Sequence, residues 1–224
     1  MLSKCNLCGW PIVKLNNSVF GTRCVGCRST QVHRAVGIVF NQLIERSDGL
    51  FVYELSSRGA LFSFLKKKFT NFYFSEYYDN YPNGLLLENV PCQDVQHLLL
   101  KDEVFDVITS TEVFEHVPDD RLGFSEIYRV LKKGGHFIFT VPLNINQEKT
   151  IERASIDSNG KCILHLVPEY HNDRIKGKGT VLAFRNYGVD IVRKLNDVGF
   201  SSRIIAVDNS KPSIRNQLVI AAIK

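Results

Sequence analysis

The sequence predicts an α/β fold, a doubly wound and mostly parallel sheet with a small zinc ribbon at its N-terminus. Three observations lead there. From about residue 48 onward, short apolar runs alternate with stretches of helical period, the pattern of strands joined by crossover helices. The last two apolar runs, SRIIAVD and QLVIAAI, are separated only by a loop, so the final strand should return antiparallel at one edge. Four cysteines stand as two C-x2-C pairs within the first 27 residues.

Cys5, Cys8, Cys24 and Cys27 leave 15 residues between the pairs, a spacing that lets two knuckles aim four thiolates at one tetrahedral ion. Gly9 and Gly26 suit the tight backbone of such knuckles, and PIVKLNNSVFGTR between them reads as a hairpin turning at Asn16, Asn17 and Ser18. Disulfides would call for a secretory signal, and the start MLSKCNLCGW lacks its apolar region; a redox C-x-x-C belongs in a βαβ unit, not on both sides of a hairpin. Zinc on four cysteines is structural, because the closed site leaves no position for substrate. Cys92 and Cys162 stand alone and read as small buried hydrophobes.

The chain has 224 residues, 44% hydrophobic and 23% charged, enough for one main core and a small appendage. No apolar run approaches the roughly 18 to 20 residues of a membrane span, so the expectation is a cytoplasmic protein. The net charge of +5 sits at one end: Lys4, Lys14, Arg23, Arg28 and Arg34 fall in the first 36 residues, which hold no Asp or Glu. Zinc with four thiolates brings about −2, leaving a local charge of about +3. That is a mild attraction for anionic partners and not a nucleic-acid signature.

Along the chain, Ser29 or Thr30 can cap a helix reaching to about Arg46, with Val32, Val36, Val39, Phe40 and Leu43 on one stripe. LFVYEL suits a central parallel strand, and a helix follows Gly59 with Lys66, Lys67 and Lys68 in its last turn. NFYFSEYYD is strand-like, NVPCQDV is a short extended piece, and EVFDVITST is another apolar strand. Asp119 or Asp120 begins the helix DRLGFSEIYRVLKK, with Gly134 and Gly135 as its stop, and HFIFTVP is the next strand. An irregular stretch runs from Leu143 to about Tyr187. Then GVDIVRKLNDVGF reads as a helix with Ile191, Val192, Leu195 and Val198 inward and Gly199 at its end.

The run VFDVITSTEVFEHVPDDRLGFSEIYRVLKKGGHFIFTVPL, residues 104–143, closely resembles the class I S-adenosylmethionine-dependent methyltransferases. The strand, the E-H-V-P-D-D turn, the R-V-L-K-x-G-G helix end and the T-V-P strand end occur in the same order. The resemblance extends over about residues 48–224 and implies a Rossmann-like sheet of seven strands with S-adenosylmethionine as cofactor. A zinc ribbon followed by an arginine-containing helix is similar to a subgroup of these enzymes. The chain then divides into a ribbon (1–30), a linking helix (31–47) and a methyltransferase domain (48–224), with 143–187 as a lid or acceptor-binding insert.

The resemblance implies roles for several residues. Glu54, ending the first strand, holds the methionine end of the cofactor; Glu76 takes the ribose hydroxyls; Asp94 with Val95 frames the adenine; Thr111 and Glu112 lie beside the reacting methyl. Physical chemistry points the same way, since one carboxylate can accept two hydrogen bonds from a vicinal diol and each acid falls at a strand's carboxyl end. The plainer alternative is that such acids cap helices or face solvent in turns. The turn after Glu54 departs from the family pattern: Ser56, Arg58 and Ala60 replace its three glycines, leaving Gly59. Arg58 either points outward or reaches the cofactor's carboxylate.

For the acceptor chemistry two places offer groups. Glu115 and His116 follow the fourth strand, and CILHLVPEYHNDR in the insert carries His165, Glu169, Tyr170 and His171. His171 is the candidate base or acceptor contact with Glu169 orienting it, and His116 is a further candidate; a loop histidine bonded to backbone, and a turn that only shapes the pocket, are the plainer readings. Glu169, His171 and Asp173 also read as metal ligands, although no spacing rule is met. The expected acceptor is a small molecule or saccharide. Two alternatives stand: an RNA methyltransferase gripping phosphate through the basic ribbon, and an inactive methyltransferase fold acting as a binding protein, as the missing turn glycines would allow.

Overall fold

The computed structural model describes residues 3–16, 21–45, 48–173, 179–207, 214 and 216–224. In the ribbon, β1 (Ile12–Lys14) and β2 (Thr22–Cys24) pair antiparallel with Ile12 opposite Cys24. Asn17 and Ser18 of the expected turn, and Arg46 at the expected helix end, lie outside the described residues. Each knuckle closes with a backbone bond, Gly9 N–H to Cys5 O and Arg28 N–H to Cys24 O, and the closing residue has positive φ in both, +78° at Gly9 and +59° at Arg28. Gly26 therefore does not supply the left-handed position. It makes room for Trp10, whose Cγ would lie 2.7 Å from a Cβ at Gly26.

Helix α1 (Gln31–Leu43) is capped by Thr30: the Thr30 side chain accepts from the His33 N–H, and His33 Nδ1 accepts from the Thr30 N–H. Its β-branched stripe buries Val36 and Val39 with Phe40 against Val52, Val107 and Ile138 of the sheet. The parallel half of the sheet follows as β3 (Phe51–Glu54), α2 (Gly59–Lys68), β4 (Asn71–Phe74), β5 (Phe105–Thr111), α3 (Asp120–Val130) and β6 (Leu131–Thr140). Asp119 caps α3 by accepting from the N–H groups of Arg121 and Leu122.

The helix expected to run to Lys133 stops at Val130, and β6 starts at once, because Leu131 is drawn wholly into the core opposite Phe105. Two steps along β5 then face five along β6, from Leu131 to His136, so the Lys132–Gly135 stretch bulges out. Gly134 (φ +75°) and Gly135 serve that bulge and not a helix stop; a Cβ on Gly135 would lie 2.8 Å from the Lys132 carbonyl oxygen.

The stretch expected to be irregular is instead a set of short antiparallel ribbons: β7 (Ala154–Ile156) with β8 (Cys162–Leu164), β9 (Tyr170–Asp173) with β10 (Gly179–Leu182), and Ile151–Glu152 with Arg185–Asn186. Strands this short carry no readable period. Cys162, expected to be buried, is exposed on β8, while Cys92 is buried. The chain closes with α4 (Ile191–Val198), β11 (Ser201–Ala206) and β12 (Leu218–Ile223).

The central sheet has the order β11-β12-β6-β5-β3-β4, with β12 antiparallel to both neighbours as expected. Among the described residues it holds six strands and not seven. The NVPCQDV segment reaches the edge only through one bridge, Glu76 to Cys92, because Pro91 has no N–H to give a ladder and Val90–Pro91 pairs with Leu86–Leu87. Alternate residues of the strands face two cores: Tyr53, Ile108, Phe137 and Phe139 meet Phe124 and Ile127 of α3 and Leu195 of α4, while Val52, Val107 and Ile138 meet α1 and α2. Among the described residues no helix is long and apolar enough to cross a membrane.

Candidate active site

The carboxyl ends of β3, β4 and β5 bring Glu54, Glu76, Thr111 and Glu112 to one side of the sheet. Glu54 is 1% exposed and accepts a hydrogen bond from the Thr109 hydroxyl on the neighbouring strand. Burial pushes its carboxyl up to about 8, the Thr109 bond opposes the rise, and the charge of Glu76 adds to it. Between pH 4.5 and about 8 the folded chain therefore holds a proton that the unfolded chain releases, and the stability this confers is lost as pH rises through that window. In urea unfolding at pH 5.5 and 7.5, Glu54→Gln should remove from the wild-type pH dependence a slope on the order of 1.4 kcal/mol per pH unit.

Glu76 accepts from both the N–H (3.1 Å) and the hydroxyl (2.9 Å) of Ser57, which ties the end of β4 to the turn between β3 and α2. In that turn Ser56 bonds the Arg58 carbonyl at 3.2 Å, and Gly59 takes φ +99° as α2 begins. Arg58 is exposed, and its side chain makes a hydrogen bond with Tyr78. Asp94 turns both carboxylate oxygens toward the Gln96 side-chain amide at 3.1 and 3.2 Å, and Val95 packs in the core. The Thr111 hydroxyl is a buried polar atom with no hydrogen-bond partner among the described residues, at the end of β5. Glu112, at φ +53°, has its carboxyl raised by burial, an effect that Thr140 and, less, His171 oppose.

Beyond Glu112 the insert folds back over the E-H-V-P turn. His116 Nδ1 donates to the Leu182 carbonyl of β10 at 2.9 Å, and His116 Nε2 lies 3.2 Å from His171 Nδ1 of β9. His171 Nε2 is 3.3 Å from Glu169 Oε1, and Glu169 Oε2 accepts from Asn186 Nδ2 at 3.2 Å. The Asn186 and His171 contacts hold Glu169 below the usual carboxylate range. Beneath the two rings Glu115, 1% exposed, places Oε1 3.6 Å from His116 Nε2 and 3.7 Å from His171 Nδ1. The expected grouping of Glu169 with His171 is thus accompanied by Glu115 and His116, while the Asp173 side chain lies outside the described residues. His165 bonds Ser155 at 2.9 Å on the neighbouring ribbon.

Sequence reasoning passed over the residue that fixes this turn. Arg185 is 3% exposed; Nη1 donates to the carbonyls of Phe114 and Val117, Nη2 to that of Pro118 at 2.6 Å, and Nε lies 3.2 Å from Glu152 Oε2. The Phe184 N–H also donates to the Glu115 carbonyl, at 2.7 Å. The one available signal was an arginine inside the apolar run VLAFRNY.

In the ribbon the four cysteine sulfurs lie within 4.8 Å of one another, with Cys5 and Cys27 at 3.7 Å and Cys8 and Cys24 at 3.3 Å. About 3.8 Å separates ligands in a tetrahedral site with 2.3 Å zinc–sulfur bonds, so the cluster fits such an ion. All four are free cysteines.

A family model described as a methyltransferase domain matches residues 63–139. The fold aligns with that of an S-adenosylmethionine-dependent methyltransferase from Mesorhizobium loti, at 17% identity and TM-score 0.55, over 85% of this chain and 98% of that one. It aligns with the glycopeptide N-methyltransferase MtfA, whose structure holds sinefungin, at 15% identity and TM-score 0.55, over 87% and 94%. A third structure, the Burkholderia thailandensis 1,6-didemethyltoxoflavin-N1-methyltransferase, aligns at 14% identity and TM-score 0.51, over 86% and 78%. A search of curated proteins finds no match. The fold is the Rossmann-like methyltransferase fold. Residues 63–139 thus match a methyltransferase domain, and the fold is shared with S-adenosylmethionine-dependent methyltransferases.

Proposed function

We propose that the chain transfers a methyl group from S-adenosylmethionine to a hydroxyl of a small-molecule or saccharide acceptor, in the cytoplasm, with the ribbon as a structural zinc module. The observation that carries this reading is the row of acids at the ends of β3, β4 and β5, the last of which, Glu112, lies in the field of His171, one of a histidine pair. Glu54 would hold the methionine end, Glu76 the ribose in place of its present Ser57 contacts, and Asp94 with Val95 the adenine. The residues fit the cofactor: Glu54 has a buried carboxyl, the Thr111 hydroxyl has no hydrogen-bond partner among the described residues, and Gly59 keeps the turn open. With Arg58 drawn to Tyr78, the small Ser56 and Ala60 leave the turn passable.

When bound, S-adenosylmethionine supplies an electrophilic methyl on a sulfonium. The chain contributes alignment and a place for the acceptor's proton. Thr111 and Glu112 mark the reacting end, and the His116–His171 pair, oriented by Leu182 and Glu169, faces the acceptor.

Calorimetry with S-adenosylmethionine and S-adenosylhomocysteine on the zinc-replete chain tests this. Micromolar binding, weakened at least tenfold in Glu76→Ala, is expected. No heat at millimolar ligand would overturn the reading and leave a binding protein with a methyltransferase fold. An RNA acceptor rests only on the N-terminal positive charge and would require affinity that falls steeply with salt.

A further inference from the structure

We propose that Glu115, His116 and His171 form a binding site for a divalent transition-metal ion at the acceptor side of the active site. Glu115 Oε1, His116 Nε2 and His171 Nδ1 are mutually 3.2, 3.6 and 3.7 Å apart. A triangle with those edges has its centre about 2.0 Å from each corner, which is the bond length that imidazole nitrogen and carboxylate oxygen take around zinc and similar ions. The spacing of the three atoms is that of a ligating set.

Two further observations point to a ligand there. Glu115 is 1% exposed, yet neither of its carboxyl oxygens has a hydrogen-bond partner among the described residues. A buried carboxylate in that condition is costly unless a cation or donor completes it. The histidines, in turn, are set by outer partners. The Leu182 carbonyl can only accept, so His116 carries its proton on Nδ1 and turns the bare Nε2 inward. Glu169 accepts from His171 Nε2, so in the neutral ring the bare nitrogen is Nδ1, again inward. Metal-bound histidines are oriented in this way, one by a backbone carbonyl and the other by a carboxylate. Without an ion or an extra proton, two nitrogen lone pairs would face each other at 3.2 Å.

Two histidines and one carboxylate suit a divalent first-row ion and leave positions for acceptor oxygens. The role of the ion rests on the methyl-transfer reading; the site does not. A hydroxyl bound to the ion loses its proton more easily. That proton passes to water, the acceptor oxygen bonds to the methyl carbon as the carbon–sulfur bond breaks, and the electron pair stays on sulfur in S-adenosylhomocysteine. The substrate class is then one whose hydroxyl has a second oxygen close enough to share the ion.

Titrating Mn2+ into the full chain loaded with a single equivalent of zinc, and following the electron paramagnetic resonance of the free ion, tests the site. One Mn2+ per chain with micromolar affinity is expected, at least tenfold weaker in Glu115→Gln and in His171→Asn, with one zinc per chain retained in both. His171 lies at the surface of β9, so its variant keeps the test open if Glu115→Gln fails to fold. No binding at millimolar Mn2+, or binding that survives both substitutions, would overturn the site and leave a shared proton between the rings. S-adenosylhomocysteine calorimetry on the same sample separates the two readings. Cofactor binding without Mn2+ overturns the metal alone, and Mn2+ binding without cofactor supports the site while overturning methyl transfer.

Discussion

Arg185→Met is expected to destabilise the chain by about 3–5 kcal/mol, the cost of removing one partner from a buried, fully engaged ionic network. The substitution nearly keeps the volume but removes the guanidinium donors from the carbonyls of Phe114, Val117 and Pro118, and leaves Glu152 and Asp120 with Lys194 as their remaining cation. Asp120 keeps the Tyr187 hydroxyl (2.9 Å) and Lys194 (3.1 Å), so the base of α3 should hold while the turn above it loosens. That turn carries Glu115 and His116, and turnover should fall at least a hundredfold where it can be assayed. Arg185→Lys should recover little, because an ammonium cannot serve three carbonyls from a planar fork. A urea midpoint equal to that of wild type would show that the carbonyls find other donors.

Removing metal from the ribbon should have the second large effect. Structural zinc sites in small domains bind with about 10–16 kcal/mol, which is folding free energy for the segment that carries the ligands. Here the loss spreads beyond the ribbon through Arg34, which is 0% exposed. It donates to the Ser29 carbonyl at 2.5 Å, to the Ser29 hydroxyl at 3.2 Å and to the Thr22 carbonyl at 3.2 Å. Its guanidinium lies in the field of Cys5, Cys24 and Cys27, whose thiolates balance it when metal is bound. Once those sulfurs take up protons, α1 carries a buried cation at the end that meets the ribbon. Chelation is therefore expected to lower the Tm of the whole chain on the order of 10 °C. An unchanged Tm after chelation would mean that the four cysteines hold no metal that matters to the fold.

Much of this architecture was legible because its signals are local. The C-x2-C pairs, the aromatic and β-branched runs of β3 to β6 and the glycine after α4 each act within a few residues. What stayed hidden depends on distant partners. Nothing near Arg34 or Arg185 says that carbonyls twelve or about seventy positions away will surround them. His116 and His171 stand 55 residues apart, and only the β9–β10 ribbon brings their rings together. The start of β6 was misread because R-V-L-K-K-G-G satisfies the rules of a helix end, whereas burial of Leu131 opposite Phe105 decided the matter. For the third acid, Asp94, sequence supplied a position but not the Gln96 amide that occupies it.

The strand order carries a consequence for how the chain is made. Strand β6 is complete at Thr140, but β12, which covers its outer edge, begins at Leu218. Roughly eighty residues separate the two, on the order of 4–16 s of synthesis. Through that interval the growing polypeptide presents HFIFTV, two of whose phenylalanines are wholly buried at the end, with one row of backbone groups unpaired. Newly made copies are thus sticky in proportion to how many wait together, and slower, cooler production with free chaperone at hand is the condition under which they should accumulate in soluble form.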